Sequence, residues 1–137
     1  EETARWQRLA GLPSSEGAAV NLAFVALGER RYDEALRALR VVENEFVERE
    51  MMGRLAPIRV ALAVALFGVG DSDGAHRMLE ASRDLLAGAE PERDVAWALE
   101  CGVQAAADQA REWFRAKSSQ EYARLGDLQS AERVKML

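Results

Sequence analysis

Three stretches of the chain share one frame, and that frame constrains the fold more than any other feature. "GDSDGAHRML" from Gly70 and "GDLQSAERVK" from Gly126 both run glycine, aspartate, a small residue before an alanine, the alanine, and an arginine two positions later. "RRYDEALRAL" from Arg30 fits the same frame with its glycine displaced to Gly28, and "AAADQAREWF" from Ala105 is a fourth possible copy. Ala35, Ala75, Ala110 and Ala131 fall in register. A small residue there has a mechanical reason: two antiparallel helices joined by a short turn cross closely, and a larger side chain would push them apart. Ala35 to Ala75 spans 40 residues and Ala75 to Ala110 spans 35, periods that mark stacked helical hairpins.

Between the glycine and proline breaks, every segment carries apolar residues at helical spacing and none alternates with period two. The pattern predicts an all-α fold with helices near 2–10, 16–29, 33–51, 57–69, 73–87, 91–105, 108–125 and 128–136. Pro57 and Pro91 suit first helical turns, whereas Gly53, Gly70, Gly88 and Gly126 suit the left-handed residue that closes a helix. Asp71, Ser72 or Asp73, and likewise Asp127, suit N-caps. From Pro91 to Leu125 only Asp108 suggests a turn, so two helices and one long helix both fit that stretch.

At 137 residues the chain reads as one domain, and it has the look of a segment excised from a larger protein. The run "GAAVNLAFVALG" is shorter than the roughly 20 residues needed to span a bilayer, so no membrane helix is expected. A net charge of -5 argues against a nucleic-acid partner, because gripping phosphates requires arginines and lysines gathered on one face. Here, as in "VVENEFVEREMM", cations and carboxylates are interleaved. The single cysteine, Cys101, favours a reducing, cytoplasmic setting.

Several residues together resemble the tetratricopeptide repeat family, whose unit is an antiparallel helix pair. They are Asn21-Leu22-Ala23, Tyr32 to Ala35 and Leu39 in the first copy; Leu62-Ala63, Leu66, Gly70-Asp71, Ala75 and Leu79 in the second; and Trp97-Ala98, Cys101, Ala110 and Phe114 in the third. The resemblance covers residues 16 to 137. It implies a short right-handed α-solenoid with repeats near 16–51, 57–87 and 91–125, helices 2–10 and 128–136 serving as end pieces. Departures from the family pattern are Arg30 where glycine is usual, two long connections, and missing or displaced closing prolines. The close spacing of Ala110 and Ala131 gives helix 108–125 two jobs, as the second helix of one pair and the first of the next.

In such a solenoid the leading helices face a concave groove. The resemblance assigns to it Val20, Asn21, Phe24 and Leu27, then Val60, Val64 and Phe67, then Val95, Leu99 and Val103, with Ala61 and Ala96 between them. That row is almost uncharged and, apart from Asn21, lacks the residues that clamp a peptide carboxylate. Two readings of it stand. It forms an apolar groove for a protein or peptide partner, such as an amphipathic helix or a second copy in a homodimer, or tight curvature buries it.

Catalysis is not expected. His76 reads as a surface residue and Cys101 as small core packing. Trp6, Trp97 and Trp113 read as packing residues, and no spacing fits zinc, calcium or a phosphate loop, so no cofactor is expected. The sequence therefore points to a non-catalytic protein–protein interaction module. The alternative is a ligand- or peptide-sensing regulatory domain of a bacterial transcriptional regulator or signalling ATPase.

Overall fold

Four helix ends close on the same backbone device. Arg30, Glu50, Gly70 and Gly126 adopt positive φ of 63°, 57°, 91° and 82°. In each case the following residue donates its N–H to the carbonyl five positions back: Arg31 to Ala26, Met51 to Phe46, Asp71 to Leu66 and Asp127 to Tyr122, at 2.8 to 2.9 Å. Such turns satisfy carbonyls that the helix leaves orphaned and reverse the chain tightly. Asp71 and Asp127 then accept from the backbone N–H groups of Gly74 and Ser130 at 2.8 and 3.0 Å, which starts the next helix.

The computed structural model of the chain describes residues 14–87 and 90–137, and every regular element among them is helical. The order is α1 (Ser14–Gly28), α2 (Tyr32–Glu48), a 3-10 turn (Met52–Arg54), α3 (Leu55–Gly68), α4 (Ser72–Ala87), α5 (Arg93–Ala105), α6 (Asp108–Arg124) and α7 (Leu128–Lys135). These bounds follow the helices expected from the sequence within a few residues. The expected helix 2–10 and the turn at Gly88 lie outside the described residues. The stretch from Pro91 to Leu125 is two helices: Ala106 and Ala107 are extended, Asp108 turns with φ 52°, and the Arg111 guanidinium donates to the Ala106 carbonyl at 3.2 Å.

Consecutive helices pack against each other from α1 through α4 and again from α5 through α7, and α3 also packs on α5. The core is built on α3, in which Val60 through Phe67 are all buried. Its apolar residues run all the way round, as befits a helix enclosed by others. The aligned alanines behave as expected at three of four sites: Ala35, Ala75 and Ala131 are buried, whereas Ala110 is half-buried. Two glycines allow still closer contact. A Cβ at Gly68 would fall 2.2 Å from the Tyr32 ring, and one at Gly102 would fall 2.4 Å from the Phe114 ring.

A second, smaller cluster joins α5, α6 and α7 through Ala96, Tyr122, Ala131 and Val134. Ser118 and Ser119 make this approach possible without stranding a polar group. Their hydroxyls donate to the carbonyls of Ala96 and Ala131, both at 2.9 Å.

Candidate interaction site: a trench between α4 and α6

All ten residues marked for a concave groove are buried, the most exposed being Phe67 at 9%. The structure brings them together, but inside the fold and not along an open surface. The cause is Trp97 on α5, which reaches across to α1. Its ring meets Phe24 edge-on at 5.8 Å, and lies where a Cβ on Gly28 would be only 3.1 Å away. The Arg30 guanidinium also donates to the Gln104 side chain, tying the turn after α1 to the end of α5. The first and third leading helices thus shut the space between them.

An open surface lies on the other side, between α4 and α6. Among the described residues α4 makes substantial contact only with α3, and buries little beyond Ala75 and Ser82. This leaves a trench of about 780 Å³ floored by Val95, Leu99 and Phe114, with Leu79 and Leu86 on one wall and Trp113 on the other. Trp113 is 37% exposed and sits edge-on against Phe114 at 5.2 Å. The lining runs from His76 to Ala87 on α4 and from Gln109 to Arg124 on α6; at the helical rise, its walls are about 16 to 22 Å long.

Register explains why this junction stays open. On α2 the buried stripe is Ala35, Leu39, Val42 and Phe46. The same offsets from the aligned alanine give Ala75, Leu79, Ser82 and Leu86 on α4, and Ala110, Phe114, Lys117 and Glu121 on α6. Where α2 presents a valine and a phenylalanine to its neighbour, α4 presents a serine and a leucine, and α6 a lysine and a glutamate. Ser82 turns inward and bonds its own helix, donating to the Met78 carbonyl at 2.7 Å. Neither wall has the bulk to reach the other. This comparison of third and fourth stripe positions was the sequence signal for the trench; attention to the leading helices alone misses it.

The charges along the trench are mostly matched within each wall. Glu80 pairs with Arg83 at 3.1 Å on α4, and Glu121 pairs with Arg124 on α6. Lys117, on α6, forms no ion pair among the described residues. His76 is an exposed lip residue whose ring stands edge-on to Phe67 at 5.2 Å.

The remaining chemistry-bearing side chains are held in ways that favour packing. Burial, with a smaller contribution from Glu100, pushes the Cys101 thiol up to about 12, far from the depressed value of a reactive cysteine. Cys101 lines a small pocket of about 220 Å³ with Tyr32, Trp97 and Gln104. Beside it on α5, Glu100 lines the same pocket and accepts two bonds from Arg133 at 2.6 and 2.9 Å and a third from the Tyr122 hydroxyl at 2.8 Å. The Arg133 bonds are the main reason that the Glu100 carboxyl lies below its ordinary value, against the opposing effect of burial. Among the described residues there is no cluster of three or more histidine, cysteine or carboxylate ligands that could hold a metal, and no helix is long and apolar enough to cross a membrane.

No family model, curated protein or solved structure matches this chain.

Proposed function

We propose that the chain is a non-catalytic protein-interaction module, a short tetratricopeptide-like stack working in the cytoplasm, and that its binding site is the α4–α6 trench. The occupant is an amphipathic helix of another protein. The supporting observation is the open junction itself, where the half-buried Leu79 and Leu86 on α4 and the exposed Trp113 on α6 remain accessible above a buried apolar floor. Apolar surface of this kind, rimmed by polar residues, is the usual mark of an association site. An extended peptide is a poorer fit: both walls are helices with their backbone groups already bonded, so they offer no strand edge to pair with. A helix brings its own backbone bonds and needs only a groove for one apolar face.

The test is a titration with a synthetic amphipathic helical peptide carrying a leucine stripe, followed by amide chemical shifts. Shifts should gather around Leu79, Leu86 and Trp113 and spare Val20, Phe24 and Val60. Absent shifts, or shifts centred on α1, would overturn the assignment. The trench volume also lies in the range of small-molecule pockets, which supports a sensor as the second reading. A melting temperature raised by a small effector, with no response to helical peptides, would favour that reading instead.

A further inference from the structure

From the charge left over in the trench, we infer that the partner helix carries a carboxylate beside its apolar stripe, placed to meet Lys117. This inference rests on the trench being the binding site. Three cations and two carboxylates line the trench, so its local balance is positive in a chain whose net charge is -5. Four of those five groups are already neutralised along their own helices by Glu80–Arg83 and Glu121–Arg124. Lys117 is the remaining one. It stands one turn beyond Trp113 on the wall of α6, at the stripe position where α2 has the buried Val42.

Position gives this lysine its influence. A helix lying against Leu79, Leu86 and Trp113 removes water from the apolar walls of the trench, and the Lys117 ammonium beside Trp113 is then partly desolvated. A facing carboxylate offsets that cost, whereas a facing lysine or arginine adds repulsion in a medium that screens less than water. The long flexible stem lets the ammonium follow a helix seated in slightly different registers, so Lys117 selects the charge class of partner more than its exact sequence. Electrostatic matching of this type sets specificity and association rate more than total affinity.

Three synthetic helical peptides of equal length and identical leucine stripe test the idea, differing only in whether glutamate, glutamine or lysine flanks the stripe. Binding to the full chain is measured by fluorescence anisotropy at low and high salt. The glutamate peptide should bind about five- to tenfold more tightly than the lysine peptide at low salt, and the gap should shrink at high salt. Lys117→Glu, an exposed replacement that leaves the core untouched, should reverse the order. Trp113→Ala should weaken all three peptides together.

If the peptides bind equally well, or Lys117→Glu leaves their order unchanged while Trp113→Ala weakens each, the trench remains the site and the carboxylate inference falls. If none binds, or Trp113→Ala changes nothing, the trench assignment falls with it. Tighter binding of the lysine peptide would contradict the inference directly.

Discussion

The junction between α2 and α3 is shut, and the junction between α4 and the α5–α6 pair is open. Both begin with the same turn and the same buried alanine, so local hairpin geometry does not separate them. What differs is the far half of the second helix. Val42 and Phe46 complete an unbroken buried stripe on α2, and the half-buried Arg59–Glu43 pair at 3.1 Å spans α2 and α3 at its edge. On α4 only Ala75 and Ser82 of the stripe are buried, and the apolar Leu79 and Leu86 are half-buried. Closing a hairpin and closing the space between hairpins are therefore separate achievements. The first needs one small residue and a turn, and the second needs bulk two to three turns further on.

The strongest test of this contrast replaces the same stripe position on each side. Phe46 is 2% exposed, and Phe46→Ala should cost about 3–5 kcal/mol by leaving a cavity in the closed junction. Leu86→Ala, at a half-buried site on the open wall, should cost about 1 kcal/mol or less. Urea midpoints of the two variants measure the difference. Equal losses would mean that α4 is packed in solution as firmly as α2.

A second variant asks whether the α5–α6 pair is as tightly fitted as its glycine suggests. Gly102→Ala places a methyl group on the base of the Phe114 ring, which is fully buried and has little room to turn. The expected loss is about 1–3 kcal/mol. Phe114 also forms the trench floor, so the same variant should weaken peptide binding. A stable protein with unchanged binding would show that the floor is softer than its packing implies.

Most helix limits were legible from local chemistry, a glycine or aspartate at a turn or a 3.6-residue stripe; the exceptions are the end of α2, where Glu50 and not the expected Gly53 takes the left-handed conformation, and Pro91, which precedes α5 and is not in its first turn. The break at Ala106–Ala107 was faint because neither residue is a turn former, and only the positive φ of Asp108 exposes it. The site was much less legible. Phe24, Val64 and Leu99 look alike whether they line an open groove or a closed interior, and what decides between these is the long-range reach of Trp97 to α1. Periodicity along one helix carries no information about such a contact. The trench, by contrast, left its trace in the aligned stripes, at Ser82 and Leu86 against Lys117 and Glu121.

Acid titration sharpens the comparison at the other end of the α5–α6 pair, where the Arg133–Glu100 ion pair reinforces the apolar cluster that fastens α7. Glu100 is held below the ordinary 4.5 chiefly by Arg133. Its contribution is therefore complete above about pH 4.5 and lost as pH falls through its lower folded value. Asp94 and Glu92 act in the opposite sense, because burial raises both, with Asp94 and Glu121 adding to the rise at Glu92. Deprotonating these two in the folded state opposes folding, and acidification relieves that cost. Urea midpoints should rise slightly on leaving neutral pH and then fall below about pH 4.5. In Arg133→Ala the early rise should persist while the later fall is reduced, and the neutral-pH stability should drop by about 1 kcal/mol. An unchanged acid limb in that variant would remove Arg133 from the account.

The smallest expected effect concerns the turns that the two hairpins share. Arg30 and Gly70 occupy the same position after α1 and α3, both with positive φ. For an L side chain the left-handed region costs roughly 1–2 kcal/mol, and glycine avoids that cost. Arg30→Gly should therefore stabilise the first turn, although it also removes the Arg30 bond to Gln104, an exposed contact worth about 0.5 kcal/mol or less. The net gain expected is about 0.5–1 kcal/mol. The reverse change, Gly70→Arg, should cost about 1 kcal/mol or more, since a Cβ at Gly70 meets no neighbour and only the backbone conformation resists it. Melting the two variants beside the parent isolates turn energetics from the packing differences beyond. Destabilisation by Arg30→Gly would show that the link to Gln104, and through it the closure of α1 upon α5, outweighs the strain of the turn.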